Sequence, residues 1–202
     1  CGKGGYVTIR VTHSLGLYKG RVRDDLLVVH FPNGAAAGGI FTMSSTRSDD
    51  VDRCRAALKA GGGRARVLVV NTGNSNAFTG AAGVAKNAAT IASARKQSGC
   101  SEHEVFISAT GVIGEPLPPH IVSGGVEQVW DRLAAPDFEK IANCIRTTDT
   151  FAKAAGETVD LNRRNVSIVG VAKGSGMIQP NMATTLNYMF TDANLAPAVC
   201  QA

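Results

Sequence analysis

Residues 173–186, KGSGMIQPNMATTL, hold a lysine in a glycine-rich loop, a Pro-Asn turn, and a small residue before a threonine at the mouth of a strand. Glycines at 174 and 176 let backbone come close to a ligand or another chain, because no Cβ intervenes. A hydroxyl at the start of a strand is held by rigid scaffold and is still reachable at the sheet edge. Such a threonine can act on its own backbone. If the peptide between Ala183 and Thr184 is strained, the Thr184 hydroxyl attacks the Ala183 carbonyl carbon, and an N→O acyl shift leaves an ester that water hydrolyses. Thr184 then carries a free α-amine with an ordinary pKa of about 8, able to act as base for the hydroxyl beside it. Ala183 is small, as a distorted backbone requires. Without further support, these residues are more simply a glycine-rich loop with a surface threonine.

Three other segments carry chemistry-bearing residues. SATGVIGEPL (108–117) ends a strand in Thr-Gly-x-x-Gly, a tight turn whose backbone N–H groups can hold an oxyanion; losing one such donor typically costs about 3 kcal/mol of transition-state stabilisation. VVNTGNSNAFTG (69–80) sets three asparagines and two glycines after a buried strand, a hydrogen-bonded network near a site or a polar loop. RTTDTF (146–151) puts three hydroxyls and a carboxylate after a helix, where they also suit a helix-exit turn. Each is weak alone.

The elements that position these segments follow from hydrophobic period. Strands are predicted at residues 5–11, 25–31 and 105–109, with a short one at 37–42 and a buried one at the apolar run 67–70. Helices are predicted at 51–60, ended by three glycines, and at 83–95. Phe138, Ile141, Ala142 and Ile145 give the clearest helical stripe. Segments 158–161 and 166–171 read as a hairpin, and Leu186, Tyr188 and Phe190 alternate along a last strand. The mixture implies an α/β or α+β class.

With 44% hydrophobic and 18% charged residues, the 202-residue chain has an ordinary soluble composition, and no apolar run nears the roughly 20 residues a membrane helix needs. Its 23 glycines and 5% aromatics suit layered α/β packing better than a Leu-rich bundle. The net charge of +5 is scattered, without basic runs interleaved with aromatics, so no nucleic-acid partner is expected; a positive field also suits small anionic substrates. Five dispersed cysteines without CxxC read as reduced packing thiols, with Cys54 and Cys144 buried on helix faces. The four histidines lack ligand spacing, so no metal is expected. The start, Cys1-Gly2-Lys3, has neither an initiator Met nor a signal-peptide pattern, so natural residues ahead of Cys1 are expected.

Taken in order, NTGNSNAFTG, SATGVIGEPL, RTTDTF and VAKGSGMIQPNMATTL resemble the bifunctional ornithine acetyltransferase / glutamate N-acetyltransferase family, and YKGRVRDDLLVV and AAAGGIFT fit the same pattern. The resemblance covers most of the chain and is specific, because four such segments recur in sequence. It implies an N-terminal-nucleophile-like layered sandwich of sheets covered by helices, completed by a downstream half. Residues 1–202 are then one domain, with 1–183 the alpha chain and 184–202 the start of the beta chain. The family cuts itself at an Ala–Thr bond, here between Ala183 and Thr184. The new N-terminal threonine takes acetyl from N-acetylornithine and passes it to glutamate, a step of arginine biosynthesis with ping-pong kinetics. The matching positions imply that Thr110 and Gly111 stabilise the oxyanion and that Thr147, Lys173 and Thr184 contact substrate.

The resemblance further implies no cofactor (acetyl-CoA serves some members as donor), a heterotetramer of two alpha and two beta chains, and a cytoplasmic location, or mitochondria or plastids in a eukaryote. Two departures stand out. Thr185 follows the nucleophile where the family has a bulky apolar residue, and the family runs on for about as long again beyond Ala202. That downstream half is expected to supply a glutamate, an asparagine and a Ser/Thr to the site, and the 202 residues alone are expected to be inactive. Two alternatives stay open: an N-terminal-nucleophile amidohydrolase or aminopeptidase, and an inactive relative acting as a structural partner.

Overall fold

The computed structural model describes residues 8–13, 15–17, 23–161, 163–174 and 185–202. A four-stranded sheet runs in the order β1 (Thr8–His13), β2 (Leu26–Ala36), β3 (Arg64–Asn74), β4 (Val105–Val112), and a three-stranded sheet in the order β5 (Lys153–Asp160), β6 (Asn165–Lys173), β7 (Leu186–Thr191). Among the described residues, only the β3–β4 pairing is parallel; the other neighbours are antiparallel. The helices are α1 (Asp49–Ala60), α2 (Gly80–Ser98), α3 (Pro119–Trp130), α4 (Phe138–Ile145) and α5 (Pro197–Gln201).

The larger sheet is buried on both faces, which is why its central strands are apolar at consecutive positions. Leu26, Val28, Val67 and Val69 point into one core with Cys54 of α1, Ile91 of α2 and Val122, Val126 and Val129 of α3. Leu27, Val29, Leu68 and Val70 point into a second core, closed by α4 and the smaller sheet through Val171, Leu186, Tyr188 and Phe190. The layers are therefore helices α1–α3, the first sheet, then α4 with the second sheet. This is the α+β layered class expected from the sequence.

The stripe expected on α4 is real. Ile141 and Ile145 are fully buried, each contributing about 1.5–3 kcal/mol, and Phe138 packs at the edge of that core. Asp137 caps the helix by accepting the Lys140 N–H. Helix α1 begins with Asp49, Asp50 and Asp52 in its first turn, favourable to the helix dipole, and ends at Gly61.

One predicted strand is absent. Residues 37–42 carry no strand, because Gly39 gives its N–H to Gln201 Oε1 (3.0 Å) and its carbonyl accepts from Gln201 Nε2 (3.1 Å). Those are the groups a ladder would have used. A side chain at Gly38 would overlap the Cys200 carbonyl, so the two small residues serve close approach to α5 instead. Residues 5–7 of the predicted first strand lie outside the described residues, and the pairing begins at Thr8. Segments 158–161 and 166–171 do form a hairpin, with β5 starting earlier, at Lys153.

Candidate active site

The parallel strands β3 and β4 end side by side, with Thr72 opposite Thr110 and Gly73 opposite Gly111. Carboxyl ends of parallel strands are where α/β sheets hold ligands, because the chain there is rigid up to its last residue and open beyond it. Gly111 has φ +137°, and a Cβ on it would overlap the Gly73 carbonyl carbon and stand 2.6 Å from the Asn74 nitrogen. The Thr-Gly pair is thus set by backbone contact. Replacing Gly111 with alanine should destabilise the fold by about 2 kcal/mol or more, through overpacking and a disfavoured φ, read as a lower urea midpoint. An unchanged midpoint would refute the tight approach.

The second sheet reaches the same place. Lys173, the last residue of β6, is buried, and its Nζ donates to Thr110 Oγ1 at 3.0 Å. Burial lowers the Lys173 pKa from its ordinary value, and the charge of Asp149 counters the fall. Thr147 lies just past α4, half-buried, on the turn 146–150. The end of α4, which leads into that turn, is anchored twice. Arg23 Nη2 donates to the carbonyls of Asn143 (2.6 Å) and Arg146 (2.7 Å), and Thr72 Oγ1 donates to the Cys144 carbonyl (2.9 Å). Of the residues singled out by sequence, Thr110, Gly111 and Lys173 come together and Thr147 sits on a turn tied to their strands. Ala183 and Thr184 lie outside the described residues.

The hydrogen-bonded network expected at residues 69–80 forms behind the strand ends, and it extends to Lys86, Asp50 and Asn87, which the sequence did not single out. Lys86 Nζ donates to Asn71 Oδ1 (3.1 Å), Asn71 Nδ2 to the Asn74 carbonyl (2.8 Å), and Asn74 Nδ2 to the Glu115 carbonyl (2.6 Å). Asp50 accepts from Asn76 Nδ2 (3.0 Å) and from Asn87 Nδ2. Burial raises the Asp50 pKa and lowers that of Lys86, and each charge partly offsets the other's cost. These bonds explain the asparagines of segment 69–80: they hold the loop opposite Gly111. The signal was present in α2, where Gly83, Lys86, Asn87, Thr90 and Ala94 share one face at helical spacing and all are buried.

Cys54 and Cys144 are buried, as expected, and burial pushes both thiols up, that of Cys54 to about 12. They pack rather than react. Among the described residues, no three His, Cys, Asp or Glu side chains gather as a metal site, and no helix is long and apolar enough to cross a membrane.

Fold and site define a layered α+β protein in which a strand-end Thr-Gly turn meets a buried lysine from a second sheet. The ArgJ family model matches residues 11–202, and the chain belongs to that family. Among its relatives, the arginine biosynthesis bifunctional protein ArgJ of Bradyrhizobium diazoefficiens is 48% identical over 89% of this chain and 43% of its own length. That of Zymomonas mobilis is 46% identical over 91% of this chain and 44% of its own length. The chain spans about half the length of the curated relatives it matches. A crystal structure of the ArgJ protein from Bacillus halodurans superposes with a TM-score of 0.76 at 28% identity, covering 89% of this chain and 92% of that one. The ornithine acetyltransferase of Mycobacterium tuberculosis, solved in complex with ornithine, gives 0.65 at 26% identity over 86% and 91%.

Proposed function

We propose that this chain is the amino-terminal part of an enzyme of arginine biosynthesis that moves an acetyl group from N-acetylornithine to glutamate through an acetyl-Thr184 ester. The enzyme is prepared by self-cleavage between Ala183 and Thr184. The observation that carries this reading is the Lys173–Thr110 hydrogen bond beside Gly111, in a chain of the ArgJ family.

In the first half-reaction the Thr184 Oγ bonds to the acetyl carbon while its proton passes to the Thr184 α-amine. The tetrahedral oxyanion collapses as the C–N bond to ornithine breaks, and the ornithine nitrogen takes that proton. In the second half, the glutamate amine attacks the ester and Thr184 recovers its hydroxyl hydrogen. The oxyanion of each half needs donors already in place. Because Thr110 Oγ1 accepts from the Lys173 ammonium, its own O–H is turned toward another acceptor and polarised by the nearby charge. The Gly111 backbone N–H is the second donor of the pair. Thr147 orients the amino-acid part.

The downstream part of the protein completes the site, in a heterotetramer of two alpha and two beta chains located in the cytoplasm. No cofactor takes part in the transfer itself, and acetyl-CoA is an alternative donor in the same first step.

Intact-mass analysis of the full-length protein tests the reading: a fragment beginning at Thr184 is expected, with acetyl transfer to glutamate. Transfer to water alone would favour an amidohydrolase, and an unbroken, inactive chain would favour a structural relative. Thr110→Ala should lower kcat about 100-fold, the effect of one lost oxyanion donor, with little change in melting temperature. A large fall in melting temperature with normal kcat would make Thr110 structural.

A further inference from the structure

Asp149 belongs to none of the roles above, yet it is the carboxylate that links the Thr147 turn to the second sheet. Its side chain is 5% exposed. Oδ1 accepts the Gly174 N–H at 2.9 Å and an ion-paired hydrogen bond from Lys153 Nζ. Lys153 is itself held, its Nζ standing 4.5 Å from the centroid of the Phe151 ring. Gly174 is the residue after Lys173 and heads the segment that leads to Thr184; a Cβ there would stand 3.2 Å from the same Oδ1. Three chain segments thus meet on one carboxylate oxygen.

Resting on the acyltransferase reading, we infer that Asp149 is a positioning residue of that reaction, clamping the turn that bears Thr147 to the backbone at Gly174, the residue after Lys173. Burial raises its pKa, but the hydrogen bonds from Lys153 and Gly174 and the Lys153 charge outweigh that effect and hold the carboxyl below its ordinary value. Asp149 is therefore an anion at neutral pH, and the Lys173 ammonium feels its charge. Its Oδ2 is buried without a hydrogen-bond partner among the described residues, a cost that a side chain kept only to close a helix exit has no reason to bear. A carboxylate in this position fixes the backbone at Gly174, where the chain leaves β6 directly after Lys173. Misplacing reacting groups by about 1 Å costs about 100-fold in rate.

The test uses the full-length protein with Asp149→Ala and the nearly isosteric Asp149→Asn. Self-cleavage is followed by gel and mass, acetyl transfer by kcat and KM, and folding by melting temperature. Asp149→Ala should slow both reactions about 100-fold. Asp149→Asn keeps an acceptor for the Gly174 N–H and loses only the charge, so it should recover about tenfold of that loss. Wild-type rates in both variants would overturn the inference. So would a lower melting temperature in both with normal rates in the folded protein. If Asp149→Ala does not fold, Asp149→Asn decides alone: a rate about tenfold below wild type supports the clamp, and an unchanged rate removes it. Wild-type protein that neither cleaves nor transfers acetyl would overturn the acyltransferase reading first, and this role with it.

Discussion

Full-length protein carrying Thr184→Ala is expected to stay one unbroken chain and to transfer no acetyl group. The acyl shift needs an oxygen on the side chain after Ala183, and alanine has none. Cleavage also creates the α-amine that serves as base, so the single change removes nucleophile and base together. Loss of a covalent nucleophile commonly costs about 10⁴-fold or more, so the residual rate should fall below detection. Two controls separate the reactions. Thr184→Ser retains a hydroxyl and should still cleave. Residues 1–183 co-expressed with a chain beginning at Thr184 should transfer acetyl without any cleavage step.

The competing hydroxyl is Thr185, half-buried just before β7. If it were the nucleophile, the new terminus would be Thr185 and Thr184→Ala would process normally. Terminal sequencing distinguishes the two, and normal processing of Thr184→Ala would end the proposed mechanism.

What the sequence revealed and what it hid divides along physical lines. Elements buried on two sides announced themselves: the apolar runs 25–31 and 67–70 became β2 and β3, and the Phe138, Ile141, Ile145 stripe became α4. The segment 37–42 failed because short small-residue runs do not reveal what their backbone will pair with, and here it pairs with the Gln201 side chain. The site divides in the same way. Thr110 and Gly111 were singled out by the family resemblance, since a strand ending in Thr-Gly is weak on its own. That Lys173 donates to Thr110 is a contact between residues 63 apart and on different sheets, which no local pattern contains. Asp149 was hidden by a plausible local role at a helix exit, while one of its partners in space is the backbone 25 residues on. Lys86 lies in the helix predicted at 83–95, sharing a face with Asn87 and Thr90, and no local pattern shows that this face turns inward.

Lys173→Met should lower kcat/KM about 1,000-fold while leaving a folded protein. The side chain keeps its length and loses its charge, so the lost interactions are electrostatic. One is polarisation of Thr110, tied to an oxyanion donor worth about 3 kcal/mol; the other is a charge-assisted contact to substrate worth about 1.5–3 kcal/mol. The two share one ammonium and do not add fully, which sets the figure near a thousandfold rather than higher. How the loss divides between kcat and KM tells which role leads. Nζ donates to Thr110 Oγ1 at 3.0 Å, so the loss of that polarised donor should appear in kcat; a rise in KM alone would make Lys173 a substrate-carboxylate site.

Stability should move in the other direction with pH. The folded pKa of Lys173 lies below its ordinary value, so between the two the unfolded chain binds more protons than the folded one, and wild-type stability rises with pH across that window. Lys173→Met has no such group. Urea midpoints measured at neutral and alkaline pH should therefore shift in favour of wild type as the pH rises, while wild-type kcat falls because the ammonium is lost. A variant within tenfold of wild-type kcat/KM, or a wild-type protein that keeps full activity after the ammonium has titrated, would remove Lys173 from the chemistry and leave it a buried strut between two sheets.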